Sequence, residues 1–323
     1  MAEASPSTPL RYPVSGWIEA ALFVFTIAVL SIAYVVGQGF GAHPIAVVLY
    51  ATTASALALL AVTGIGPDAL RIVLAPQSLM VGVGTISIEI FYYLLLHHVS
   101  PALASLFVRL AIPISFVLGW VVFGRRPRRL AMIGAAVVLA GIVPMMAAVD
   151  EASRMAAAAA GIAAALTSNL RSFAAEFHPW NRRADTVHEK LRVTGLVVLA
   201  SSLVSLALTG LLALMVRIGW MPSTPLVPTA AQMLHGPTIL LGVVVVGAIM
   251  TAMSVLSFSA VVKITTENFM ATSAFTPAGT LLVQIAASAL GIIPTYALDP
   301  TALPAMAVVI AGVLLILYAA RRG

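Results

Sequence analysis

The sequence predicts an all-α membrane protein of ten transmembrane helices arranged as a 5+5 inverted repeat. Three observations predict it. Of 323 residues, 61% are hydrophobic and 9% charged, with a mean hydropathy of +1.07, and a water-soluble domain needs a larger charged fraction to cover its surface. Ten apolar runs of about 20 residues, the length a helix needs to cross the hydrocarbon, fall near 16–37, 43–63, 74–96, 100–123, 130–149, 154–175, 193–216, 236–259, 265–291 and 302–320. Finally, VVLAGI at 137–142 returns as VVIAGV at 308–313, each in the last span of a group of five. Five is an odd number, so the second copy enters the bilayer upside down, the arrangement of carriers whose site lies between the copies.

Taken in order, residues 1–15 are rich in Pro and Ser and read as a disordered tail. Arg11 is their one positive charge and no small-residue cleavage pattern follows the first span, so that span reads as a true helix rather than a signal peptide. The first five-helix repeat covers 16–149 and the second 150–323, with the linker FHPWNRRADTVHEKLRV, residues 177–193, between spans six and seven. Pro113 in span four and Pro277 in span nine each follow a short helix-starting turn, SPA at 100–102 and TEN at 266–268. As mid-helix prolines they remove backbone hydrogen bonds and are expected to act as hinges or gates.

Charge sets the orientation. With the N-terminus on one side, 13 Lys and Arg residues fall in the tails and loops of that side, whereas Arg154 and Arg217 are the only 2 opposite. This positive-inside asymmetry predicts cytosolic N- and C-termini in a plasma membrane, or the inner membrane of a bacterium. The net charge of +6 is thereby spent on topology and lipid headgroups, leaving a nucleic-acid partner nothing to explain. Trp17 and Trp120 at cytosolic span ends, and Trp220 beyond an outer one, suit interfacial anchors. There is no cysteine, which removes disulfides, thiolate catalysis and thiolate-held metals.

The segment YYLLLHHVSPALASLFVRLAIPISFVLGWVVFGRRPRRLAMIGAAVVLAGIV, residues 92–143, combines a Ser-Pro-Ala helix start, a mid-helix Pro, a Gly-containing cytosolic turn and a closing Gly-containing helix. It resembles the EamA-type repeat of the drug/metabolite transporter superfamily, and residues 264–320 resemble a second copy more weakly. The resemblance implies a secondary-active, multi-pass transporter that works without a cofactor. The chain departs from the pattern in reading GRRPRR where the family carries an acidic residue after the fourth span, and in its charges Glu89 and Arg109.

Those two charges are the leading site candidates. Glu89 and Arg109 each lie ten residues from Val99, at the turn between spans three and four, so both sit about 15 Å below the outer surface. A lone charge at that depth costs at least about 2.5 kcal/mol, and intramembrane charges face a bundle interior and find partners. The expectation is that the pair meets in one central cavity, Arg109 taking an anionic group of the substrate and Glu89 an amino group or a coupling proton; the alternative is a structural pair that fixes packing. Thr85 and Tyr93 share the helical stripe of Glu89 with Ser78 and Gly82, and Ser105 and Pro113 that of Arg109. In span nine, Asn268, Thr272, Thr276 and Gly279 form a comparable stripe, with Ser273 corresponding to Arg109.

Other polar residues are weighed lower. Glu19 lies close enough to the cytosolic end of its span to snorkel. Asn169, Arg171 and Glu176 follow an alanine run that reads as a packing seam, with Arg171 near the cytosolic surface; a second anion-facing cation is the alternative. Lys263 and Glu267 are expected to flank a cytosolic turn. His43, His97, His98 and His235 map to the outer face as interfacial hydrogen-bonding groups, with His97 and His98 able to tune an outer gate, while His178 and His188 read as ordinary linker residues. No GxxxxGK[ST], HExxH or GxSxG occurs, so an ATP-driven pump, a zinc protease and a serine hydrolase lack their parts and no enzyme is expected. The expected function is a secondary transporter, as an exporter, of small polar or amphipathic metabolites such as amino acids, monomeric or homodimeric, with protons as the candidate coupling ion. A sugar-phosphate or nucleotide-sugar translocator, a non-transporting scaffold or sensor, and a lipid-acting enzyme are the rivals.

Overall fold

The computed structural model describes residues 14–124, 126–224, 226–296 and 302–321; the tail before Val14 lies outside them. Helices α1 (Val14–Gly39), α2 (Pro44–Thr63), α3 (Ala69–Val73), α4 (Pro76–Leu95) and α5 (Pro101–Phe107) lead into a 3₁₀ turn at Val108–Leu110. There follow α6 (Ala111–Phe123), α7 (Arg129–Ala148), α8 (Glu151–Phe177), α9 (Pro179–Arg183) and α10 (Val187–Arg217). The chain closes with α11 (Ala230–Met233), α12 (Gly236–Leu240), a π turn at Leu241–Val246, α13 (Gly247–Ser273), α14 (Thr276–Ala289) and α15 (Ala302–Arg321). No strand occurs among the described residues, and eight helical segments are long and apolar enough to cross a bilayer. The fold is an all-helical, multi-pass membrane bundle.

Local signals account for the helix ends. Pro101 occupies the first turn of α5, where its missing N–H would be unpaired in any case, and the Ser100 side chain accepts from Leu103 N, the helix start that the SPA turn predicts. Thr186 and Glu189 form a reciprocal capping box at the start of α10. Pro113 lies just past the 3₁₀ turn. Its ring cannot donate to the carbonyl of residue i−4, which is Arg109, so the α-helical ladder breaks there and tightens.

Span nine departs from expectation. Residues 262–267 are helical and α13 continues to Ser273, so the TEN turn is no turn. Between Gly247 and Pro277 nothing breaks a helix, whereas Pro277 does; it sits in the first turn of α14, where proline is tolerated. Pro277 therefore starts a helix rather than bending the middle of one, contrary to the mid-helix hinge expected of it.

Small residues let helices meet backbone to backbone. A Cβ at Gly84 of α4 would lie 2.9 Å from the Cβ and 3.2 Å from the Cα of Arg171 on α8. Ser78 on α4 bonds His178 just past α8, so the two helices run antiparallel. A Cβ at Gly134 of α7 would meet the Gly312 carbonyl of α15 at 2.7 Å, and one at Gly141 would meet Ala305 and Val309. Helices α1 and α13 pack along each other as α4 and α8 do.

Candidate functional site

A cavity of about 500 Å³ opens between α2, α4, α8, α10 and α13. Its mouth is at the linker face, where His178, Asn181 and Lys190 line it, and its far end is at Glu89. Between them the wall carries hydroxyls (Thr52, Ser55, Thr85, Ser172, Thr194, Ser254, Ser257) and one cation, Arg171. Apolar lining comes from Met250, Met253, Phe258, Phe269 and Phe23, the last two in ring contact at 4.9 Å.

Glu89 and Arg171 are brought together by helix geometry. Side chains lean toward the N-terminus of their own helix. On antiparallel helices, Glu89 leans back toward the level of Gly84 and Arg171 leans up from that level, so the two converge. Arg171 is the cation whose field acts on Glu89, yet the pair makes no direct ion-pair contact. Glu89 is held instead by Tyr34 of α1, whose hydroxyl donates to Oε2 at 2.8 Å.

Above Glu89 the bundle is sealed. The Tyr34 ring packs against Tyr93 at 4.7 Å and Tyr92 at 6.4 Å, and Tyr34 and Tyr93 are wholly buried. Tyr92 and Ser31 share a 2.6 Å hydroxyl bond, and Tyr93 donates to the Ala42 carbonyl at 3.3 Å.

The sequence-predicted residues divide accordingly. Glu89 and Thr85 line the cavity. Tyr93 belongs to the seal. Ser105 is turned onto its own helix, donating to Ala102 O at 2.7 Å, and Thr276 donates to Ser273 O at 2.6 Å. Thr272, Ser273 and Thr276 lie outside the cavity wall, and the side chain of Asn268 is outside the described residues. Arg109 does not meet Glu89. It sits on the 3₁₀ turn beside Tyr92, which lies within electrostatic reach of both charges, and its buried Nε has no hydrogen-bond partner. The sequence did not give the direction of Arg109, because Pro113 turns that stretch off the α-helical register.

Three residues were read differently. Arg171, expected near the cytosolic surface, lies beside Gly84 of α4 and lines the cavity with Glu89. Tyr34 was missed, although Ser31, Tyr34 and Gln38 recur at helical spacing in the first span and mark a polar stripe. His178, read as a loop residue, is 1% exposed and bonded on both ring nitrogens, to Ser78 Oγ at 2.7 Å and from Asn181 N at 3.3 Å. Burial holds its imidazole below the ordinary value. Glu19 is paired with Lys263, tying α1 to α13. Of the outer histidines, His97 contacts Gln38 and Tyr93 O and His235 contacts Thr238, and no cluster of three metal-ligating side chains forms among the described residues.

No protein-family model matches the chain, and no curated protein does. A solved structure described only as the crystal structure of a protein is similar to it with a TM-score of 0.57 and 19% identity, over 96% of this chain and 99% of that one. At that identity the likeness speaks for a shared fold and nothing more.

Proposed function

We propose that the protein is a secondary-active transporter of the drug/metabolite transporter type, exporting small polar or amphipathic metabolites such as amino acids by alternating access. The observation that carries this reading is the cavity itself: a carboxylate and a guanidinium face a hydroxyl-lined space inside an apolar bundle without pairing directly. Two charges held apart on one cavity wall keep their capacity for a ligand, the carboxylate for an ammonium or proton and the guanidinium for a carboxylate. With the linker in the cytosol, the cavity is open inward and the tyrosine seal closes the outer side. Substrate would then pass when the seal opens and the mouth closes.

Ten helices in a 5+5 inverted repeat complete the proposal, with α8 and the α13–α14 region as the two further spans. A shift of 171 residues carries Val137 onto Val308. Under that shift the α7–α15 contacts are reciprocal: Gly134 meets Gly312, the counterpart of Gly141, and Gly141 meets Ala305, the counterpart of Gly134. Mutual exchange of this kind is what a two-fold axis between the helices produces. The α4–α8 and α1–α13 pairings are likewise one contact read in each half.

Counterflow in proteoliposomes tests the proposal. Saturable exchange of a bound metabolite is expected, with loss in Glu89→Gln while the variant still elutes as folded protein; no saturable exchange with any metabolite that raises the melting temperature would leave a scaffold. A sugar-phosphate or nucleotide-sugar translocator is the second reading, favoured by Lys190 and Arg171 along one cavity. Competition by phosphate monoesters rather than amino acids would select it.

A further inference from the structure

His178 is the one buried imidazole at the cavity mouth, and its hydrogen bonds fix its protonation. Asn181 N–H donates to Nδ1, so that nitrogen must carry a lone pair. The proton then sits on Nε2, which donates to Ser78 Oγ, and Ser78 in turn donates to the Ile72 carbonyl. Asn181 further donates through Nδ2 to Ala175 O at 3.1 Å. One neutral ring thus joins the linker to α3, α4 and the end of α8.

We propose that His178 is a pH-sensitive latch: neutral, it locks the linker over 178–186 onto α3 and α4 at the cavity mouth, and protonation releases it. A proton on Nδ1 would point at the Asn181 N–H, setting donor against donor. The charged groups on the surrounding elements do not favour the imidazolium. On α3, Asp68 is engaged by Arg71 at 3.6 Å. On α9, Arg183 lies over Trp180 at 5.5 Å and Arg182 is exposed. On α10, Glu189 accepts from Asp185 N and Thr186 N, while Lys190 and Arg192 are cations. Glu176 at the end of α8 is exposed, and α4 carries no charge before Glu89.

The sign follows from burial. Because the locked imidazole binds a proton less readily than a free one, the released linker holds more protons, and acid favours release. The latch is intact above the free-imidazole value of about 6.5 and is lost as pH falls below it. Lys190 and Asn181 line the same mouth, so release would alter access to the cavity from the linker face. The inference stands on the hydrogen-bond circuit and is independent of what the cavity carries.

Hydrogen exchange on the full-length protein in micelles tests it, with wild type and His178→Gln compared at each pH so that intrinsic rates cancel. The Gln amide supplies one acceptor and one donor but takes up no proton. Between about pH 7.5 and pH 5.5, exchange in 69–80 and 178–186 is expected to rise about tenfold in wild type relative to the variant. Equal protection in both proteins at every pH would overturn the latch. Should the variant fail to fold, imidazole NMR of the unmodified protein decides: a neutral Nε2–H ring that titrates together with linker release supports the latch, and a ring that titrates while the linker stays protected overturns it.

Discussion

Arg171 and Arg109 are both cations in the helical bundle, and their surroundings are opposite. Arg171 is held beside α4 by the close approach of α8 to Gly84, and its guanidinium lines open space shared with Glu89. Arg109 sits on a 3₁₀ turn behind the tyrosine seal, outside the cavity wall, with a buried Nε that nothing bonds. Depth alone does not put a side chain on the cavity wall. Azimuth does, and azimuth is set by the regularity of the helix that carries the side chain.

That contrast can be broken most directly at the two guanidinium groups. Arg171→Ala is expected to cut kcat/KM for counterflow by at least about tenfold, through KM, whereas Arg109→Met should change it by less than about threefold. The reverse ranking would return the anion site to Arg109. A smaller effect is expected at the glycines that set the two environments. In Gly84→Ala the new Cβ meets Arg171, and overpacking of this kind costs about 1–3 kcal/mol, read as a lower melting temperature. In Gly119→Ala, on the helix that follows Arg109, the Cβ meets nothing within 4 Å, and the change should stabilise by about 0.5–1 kcal/mol. The tie between the two helices gives an effect between those of the two glycines. Asn169 donates to Ala111 O and Ala165 O, each at 2.9 Å. Asn169→Ala should lower stability by about 1–2 kcal/mol with little change in KM.

Much of the bundle was legible in the sequence because oil-rich length is a direct physical requirement of a membrane helix. The helix start at Ser100–Pro101 and the break at Pro113 were readable for the same reason, since each depends on a residue with a single backbone preference. The cavity was half legible. Glu89 and Thr85 sit on a regular helix, so spacing and depth located them. Arg171 was ranked low because spacing from the linker does not show that α8 passes Gly84 of α4 closely enough to bring it onto the Glu89 cavity, and Tyr34 was missed because its partner lies 55 residues away. The TEN turn failed because polarity was read as a break, although Thr, Glu and Asn all fit inside a helix.

Helix α8 carries a last consequence. It is 27 residues long, yet it is absent from the eight segments apolar enough to hold a bilayer position unaided. Alanine contributes little transfer energy, and Asn169 and Arg171 subtract from it. On the ten-helix reading, its residence in the membrane comes from its neighbour rather than from lipid. During synthesis α4 emerges first and offers the groove into which α8 can settle. A defect in α4 would then surface as a chain that threads the bilayer wrongly from residue 151 onward.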